Sequence, residues 1–167
     1  QPASLTLLAP AGHDLRLAHL ATALAPALAG GGDTDAVLLA VVGAHLSGMA
    51  LNHQLQDLGA AFVEATETAP LYRLFALPDS EPPKPGLLRG QPGGAVQVEV
   101  YRLSHAAFGR FVAAIPPPLG IGDLRLADGR RVKGFLVEAE AVADARDITR
   151  FGGWRAFTAH SAATEAV

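Results

Sequence analysis

The sequence contains no cysteine, and this absence removes several kinds of chemistry from consideration. Disulfide bonds, thiolate nucleophiles and cysteine-ligated zinc sites are all excluded. A cytoplasmic location, where thiols stay reduced, is compatible with this composition and is our expectation. The start of the chain also has no basic segment followed by an apolar one, so we expect no signal peptide.

Long apolar runs and clustered charges are absent as well. No stretch approaches the ~20 apolar residues that a membrane-spanning helix needs, because Gly, Asp, His and Pro interrupt every run. Charged residues make up 17% of the 167 residues, and the net charge of -3 comes from scattered side chains of both signs. We therefore expect neither a nucleic-acid partner nor a membrane. Half of the residues are apolar, which is enough for a globular core.

A glycine-rich stretch divides the chain into two predicted parts. Residues 1–35 hold a short apolar segment, a helix with leucines at helical spacing, and the polar linker at residues 30–35. Residues 36–160 form the second part, which we interpret as a domain of its own. Because the chain starts with Gln1 rather than Met, we expect it to be a segment of a longer polypeptide.

Short strands alternate irregularly with short helices in the second part. Strands are predicted at residues 36–42, 61–66, 71–77, 96–103, 124–126 and 132–137. Helices are predicted at residues 51–58 and 104–115, and prolines 116–118 end the second. These elements predict a mixed α/β (α+β) fold, with a curled mixed sheet or small barrel and flanking short helices. A doubly wound Rossmann fold is disfavoured, since no glycine-rich phosphate motif is present.

Three connecting segments carry predictions of their own. Residues 78–94 are dense in proline and glycine, which predicts an irregular surface loop. The pair Asp128-Gly129 predicts a tight two-residue hairpin turn. The tail at residues 147–157 carries the only tryptophan. It could cover a site as a lid or fasten the end of the chain to the core, and we favour fastening.

The segment VLLAVVGAHLSG, residues 37–48, is the strongest candidate for chemistry. An apolar strand ends at Gly43, and His45 follows among small residues that let a ligand approach the backbone. The N–H groups of Gly43, Ala44 and Leu46 could bind an anion, and the imidazole could transfer a proton near neutral pH. A structural histidine that bonds a nearby carbonyl fits these residues equally well.

Polar residues further along could support this turn or bind a ligand. Asn52 and Gln54 open the helix after the turn, and Gln54 is expected to point inward while His53 is solvated. Arg73 and Lys133 each interrupt a strand pattern. A lone cation in such a place either extends to water or faces a ligand carboxylate.

Other kinds of catalysis find little support. Ser47 lies in no G-x-S-x-G motif, so a serine nucleophile is not expected. Glu99 and Glu138 have no obvious carboxylate partner for a glycosidase. His45 and His53 have no third ligand at a recognisable spacing, so we expect no metal site. We expect no cofactor either.

A set of segments, in order along the chain, resembles the C-terminal domain of allophanate hydrolases. They read VVGAHLSGMALNHQL, TETAPLYRLFALP, PPKPGLLR, VEVYRL, FVAAIPPPLGIG, LADGRRVKGFL and DITRFGGWRAF. The resemblance covers residues 37–157 and implies a γ-glutamylcyclotransferase-like fold. Residues 4–28 similarly look like the last strand and helix of the amidase domain that precedes it in that family.

The resemblance implies a role in urea degradation, a branch of nitrogen metabolism. In that family the amidase domain releases ammonia from allophanate and leaves N-carboxycarbamate, a small dianion. The C-terminal domain is implied to decarboxylate this compound to carbamate and carbon dioxide, with His45 as the general acid. The implied partner is the amidase domain of the same polypeptide, in a homodimer of the parent enzyme.

Binding roles follow from the resemblance in the same way. The substrate carboxylates need donors, and the candidates are the amides of the turn and four polar side chains: Gly43, Ala44, Leu46, Asn52, Gln54, Arg73 and Lys133. Two alternatives stay open. The domain could be a non-catalytic assembly domain of the parent amidase, or it could have γ-glutamylcyclotransferase-like activity. The second is disfavoured, since the tyrosine and serine of that family's turn are missing.

Overall fold

The computed structural model describes residues 36–78 and 80–165. The strand, helix, linker and amidase-like tail predicted within residues 1–35 lie outside the described residues. The strands are β1 (Ala36–Val41), β2 (Ala61–Glu67), β3 (Tyr72–Ala76), β4 (Pro85–Arg89), β5 (Gln97–Ser104), β6 (Leu119–Arg125), β7 (Arg131–Val137) and β8 (Arg146–Asp147). The helices are α1 (Asn52–Asp57), α2 (His105–Ala113) and α3 (Trp154–Glu165), with short 3-10 helices at Ala139–Val142 and Thr149–Phe151. None of the helices in this part of the chain has the length and apolarity that crossing a membrane requires.

A five-stranded sheet in the order β2-β5-β1-β7-β6 carries the core. β1 lies at its centre, parallel to β7 and antiparallel to β5, while the remaining pairs are antiparallel. Leu39, Ala40 and Val41 of β1 are fully buried, as the unbroken apolar run predicts for a strand covered on both faces. A second sheet holds β4, β3 and β8 in that order.

The five-stranded sheet curls until its two edges meet. Leu126, just after β6, forms an antiparallel bridge with Thr68, just after β2. On either side, the Ala69 N–H donates to the Arg125 carbonyl at 2.8 Å and the Ala127 N–H donates to the Glu67 carbonyl at 2.9 Å. The prediction of a mixed α+β fold with a curled sheet is thereby confirmed.

Residues 78–94 depart from the prediction of an irregular loop. They contain β4, which pairs antiparallel with β3, and Leu87 in it is fully buried. Proline composition hid this strand, but Pro85 occupies its first position, where a strand tolerates proline. The loop prediction is therefore wrong for these five residues, and the strand brings the preceding Lys84 against the β1 end of the sheet.

The hairpin and the tail resolve two further predictions. The prediction of a two-residue turn is wrong. The Gly129 N–H donates to the Leu126 carbonyl and the Leu126 N–H donates to the Arg130 carbonyl, so the hairpin loop has three residues. Gly129 takes a φ of 90°, the left-handed position that such loops assign to glycine. The fastening of the tail is confirmed, since Ile148 is fully buried and Trp154 is 4% exposed.

Candidate active site at the His45 turn

Consecutive turns connect β1 to α1 and present His45. The Leu46 N–H donates to the Gly43 carbonyl at 3.0 Å, and the Leu51 N–H donates to the Ala44 carbonyl at 2.8 Å. Ala44 and Leu46 are 5% and 3% exposed, so both neighbours of His45 face the core. His45 itself is half-buried, with its ring at the surface of the cavities described below.

The imidazole of His45 lies among aromatic rings and one amide. Its centroid is 5.2 Å from that of Phe135, nearly parallel, and 5.1 Å from that of Phe111, edge-on. Nε2 lies 2.9 Å from Oε1 of Gln54. Because an amide oxygen can only accept, Nε2 carries a proton in this arrangement. Nδ1 is then the nitrogen left for proton transfer. Gln54 is exposed and does not point into the core as predicted, although its amide reaches back to His45.

Burial lowers the pKa of His45 below its ordinary value of 6.5, and the nearby charges of Lys84 and His53 lower it further. The hydrogen bond to Gln54 acts in the opposite direction but does not compensate. His45 is therefore neutral at pH 7 when nothing is bound. An anion beside the ring would favour the protonated form and raise this pKa.

Three backbone N–H groups on this side of the turn find no partner among the described residues. In the described part of the chain, the N–H groups of Gly43, Ala44 and His45 have no protein acceptor. Gly43 and Ala44 are buried, and buried amides left without a partner call for water or a ligand. Gly43 also packs closely on Pro85, because a Cβ at Gly43 would lie 2.3 Å from Pro85 Cδ. Only glycine fits this approach.

Two cavities are lined by His45. A small one of about 20 Å³ lies against residues 42–45, and a larger one of about 290 Å³ extends from it toward Gln54 and Phe111. His45, Lys84 and Phe135 line both. The arrangement combines amide donors, a titratable ring and a cation with aromatic walls. It suits a small anion that gives or takes a proton.

The opposite side of the turn is held by a hydrogen-bond network centred on Glu99 of β5. Its Oε2 accepts from the Ser47 N–H at 2.7 Å and from Ser47 Oγ at 2.8 Å. Tyr101 Oη donates to the same oxygen at 3.1 Å, and Arg155 Nη2 donates to Oε1 at 2.7 Å. Arg155 also donates to the Ser47 carbonyl at 2.7 Å. Burial alone would raise the pKa of Glu99, but the bonds from Ser47, Arg155 and Tyr101 hold it below its usual value.

Asn52 belongs to this supporting side. Its Nδ2 donates to the His45 carbonyl at 2.9 Å and to Tyr101 Oη at 3.0 Å, while its Oδ1 accepts from Gln56 Nε2 at 2.9 Å. The side chain is buried with donors and acceptor engaged inside the protein. It fixes the backbone of His45 and does not line either cavity.

The two predicted cations do not come to the turn. Arg73 bonds Asp147 through Nε at 3.0 Å and Nη2 at 2.7 Å. Lys133 bonds Asp123, its cross-strand neighbour, at 2.8 Å. Neither lines the cavities at His45, and the Leu46 amide already donates to Gly43. Sequence reasoning missed Lys84, Phe111, Phe135 and Glu99 in this site.

Residues 37–159 match the family model of the allophanate hydrolase C-terminal domain. The chain belongs to this family. Urea amidolyase of Saccharomyces cerevisiae is 42% identical over 129 residues, which are 74% of this chain and 7% of that protein. The chain thus spans well under a tenth of the curated relatives it matches.

Solved structures agree with the family assignment. Allophanate hydrolase of Kluyveromyces lactis superposes with a TM-score of 0.72 at 41% identity, over 78% of this chain and 23% of that one. A uropathogenic E. coli-specific protein superposes with a TM-score of 0.69 at 38% identity, over 75% of this chain and 97% of its own. The same domain therefore occurs both inside a long enzyme and as nearly the whole of a solved chain.

Proposed function

We propose that this domain decarboxylates N-carboxycarbamate to carbamate and carbon dioxide in urea degradation, with His45 as the general acid. The observation that carries the proposal is the meeting of His45 with three unpartnered amides at a cavity: the N–H groups of Gly43, Ala44 and His45. Family membership and relatives named urea amidolyase and allophanate hydrolase support the substrate class.

The proposed reaction breaks one carbon–nitrogen bond. The retained carboxylate binds the free amides of the turn, where N–H donors stabilise its charge. The leaving carboxylate lies toward the aromatic and aliphatic wall of the larger cavity, which Phe111, Phe135 and Leu119 form. As this bond breaks, carbon dioxide departs and the electron pair of the carbon–nitrogen bond stays on nitrogen. Nδ1 of protonated His45 donates a proton to that nitrogen, which yields carbamate.

The lowered pKa of His45 fits this role once the charge of the substrate is counted. The free domain holds His45 neutral, but a dianion raises the pKa of the ring. Substrate then binds together with a proton, and the acid is created where it is used. Gln54 holds Nε2, so the transferable proton resides on Nδ1. After the reaction, the uncharged ring and the departing carbamate favour release.

The test follows carbon dioxide release. An allophanate hydrolase amidase domain makes N-carboxycarbamate in trans, and stopped-flow measurement records carbon dioxide with and without this chain. The wild-type chain should accelerate release, and His45→Gln should lose roughly 100-fold or more of that acceleration, as expected for a general acid. His160→Gln, a matched change at an exposed histidine on α3, should retain it. Ammonia release by the amidase stays unchanged throughout.

Three outcomes would contradict the proposal. Full acceleration by His45→Gln would remove the histidine from the chemistry. No acceleration by the wild-type chain would favour a non-catalytic assembly role in the parent enzyme. Turnover of a γ-glutamyl amine by the wild-type chain would favour cyclotransferase chemistry instead.

A further inference from the structure

Lys84 is one of two lysines in the sequence, and it directly precedes β4 with both of its backbone groups hydrogen-bonded. The Lys84 N–H donates to Ser80 Oγ at 2.9 Å, and its carbonyl accepts from the Leu77 N–H at 3.1 Å. The next residue, Pro85, packs directly on Gly43. The lysine is thereby presented from a fixed point beside the free amides.

The charge of Lys84 is not balanced by any of the residues that the structure describes. Its ammonium group has no hydrogen-bond partner among residues 36–78 and 80–165, whereas the other lysine, Lys133, is paired with Asp123. Among the residues that line the two cavities, Lys84 and His45 are the groups that can carry positive charge. The acidic residue among them is Glu81, which is exposed and lines the larger cavity but not the smaller one. An unpaired ammonium next to unpaired N–H groups points to an anionic ligand.

We propose that Lys84 binds the carboxylate that the substrate keeps, beside the amides of Gly43 to His45, and that it makes the site selective for dianions. This assignment rests on the proposed decarboxylation. Lys84 and protonated His45 together carry two positive charges, which a dianion balances. A monocarboxylate balances Lys84 alone and leaves His45 uncharged, so it gains neither the second ion pair nor the proton.

Malonate is a suitable probe, because it places a CH₂ where N-carboxycarbamate has NH and cannot react by the same route. Calorimetry of this chain with malonate at pH 7 gives the affinity, and the same titration in buffers of different ionisation enthalpy gives the protons taken up. We expect Lys84→Gln to weaken malonate roughly 10- to 100-fold, as loss of a charge-assisted pair predicts. Lys84→Arg should restore most of the affinity. Acetate should bind far more weakly to the wild-type chain and without proton uptake.

Arg110→Gln is the matched control. Arg110 is exposed on α2, next to Phe111 but outside both cavity linings, so this change removes the same charge without a contact. It should alter malonate affinity less than about twofold, since exposed charges are screened. Equal losses in Arg110→Gln and Lys84→Gln would overturn the assignment, as would unchanged affinity in Lys84→Gln or no binding of malonate by the wild-type chain.

The two proposals fail in different ways. If Lys84→Gln binds malonate normally while His45→Gln loses carbon dioxide release, the lysine assignment is wrong and the decarboxylation stands. If malonate depends on Lys84 but His45→Gln releases carbon dioxide at the wild-type rate, the anion site stands and the acid role of His45 is wrong.

Discussion

The two sides of the turn at residues 43–51 differ in how their polar groups are used. On the side of β5, the Ser47 N–H, hydroxyl and carbonyl all bond Glu99 or Arg155, and Asn52 is engaged at every polar atom. On the cavity side, three N–H groups and the Lys84 ammonium have no partner in the described part of the chain. The first side fixes the backbone, and the second is left open to bind.

Glu99 on one side of the turn and His45 on the other show the same division. Glu99 is buried but surrounded by donors, which stabilise its charge and keep its pKa low. His45 is half-buried among aromatic rings and lies near Lys84, and both effects disfavour its charged form and lower its pKa. At pH 7 the supporting side therefore carries a hydrogen-bonded carboxylate. The binding side carries a neutral imidazole, which a bound anion would favour in its protonated form.

Breaking the supporting side should produce the largest loss of stability. Glu99→Ala leaves Ser47, Tyr101 and Arg155 without their shared acceptor, and removal of one buried partner of a charged network is costly. We expect the free energy of unfolding to fall by about 2–4 kcal/mol, measured by urea denaturation. Malonate affinity should fall too, because the turn loses its anchor.

Glu138→Ala provides the comparison, since Glu138 is exposed and makes no side-chain cap at its 3-10 helix. It should change the free energy of unfolding by less than about 0.5 kcal/mol. If Glu99→Ala were no more destabilising than this control, the network would not hold the turn.

A smaller loss of stability is expected from a substitution at Gly43, where the turn packs on Pro85 of β4. Gly43→Ala places a Cβ 2.3 Å from Pro85 Cδ, so either the turn or β4 must move. Overpacking of this kind costs about 1–3 kcal/mol in unfolding free energy. Malonate binding should weaken as well, because the displaced amides no longer converge with Lys84. Stability is read from urea denaturation, and affinity from calorimetry.

Gly120→Ala is the matched control on β6, where a Cβ would meet nothing within 4 Å. It should leave both stability and malonate affinity close to wild type. Equal behaviour of the two alanine variants would show that the approach of Gly43 to Pro85 is not needed for the site.

The central strand and its histidine could be predicted because both are local features. An unbroken apolar run marks β1 as buried, and small residues mark the turn that follows. These predictions depend on neighbours within a few positions along the chain.

The parts that sequence reasoning missed depend on strand register. Glu99 lies opposite Val41 in the β1–β5 pair, and this register brings it beside Ser47, 52 residues away. Lys133 faces Asp123 across the β6–β7 pair, so its charge is paired within the protein and does not need a ligand. Lys84 reaches the site only because β4 exists within a proline-rich segment. No local pattern encodes these three juxtapositions.

The smallest expected effect is the pH dependence of the unfolding free energy, to which His45 and Glu99 contribute at different pH. The pKa of His45 in the fold lies below the unfolded value of 6.5, because burial disfavours the charged ring. Between those two values the unfolded chain binds a proton that the folded chain does not, so stability falls as the pH drops through this window. Glu99 contributes in a separate window, below its ordinary value of 4.5.

Urea denaturation of the wild-type chain and His45→Gln at pH 7.5, 6.5 and 5.5 measures this difference. We expect His45→Gln to lose less stability on acidification than the wild-type chain, because it lacks the group that resists protonation. Saturating malonate should reverse the sign for the wild-type chain, since the bound dianion raises the pKa of His45 and the ligand then stabilises more strongly as pH falls. Parallel pH profiles for the two proteins would show that the ring titrates in the fold as it does in the unfolded chain. The cavity side would then lack the electrostatic contrast with Glu99 that the proposed proton donation requires.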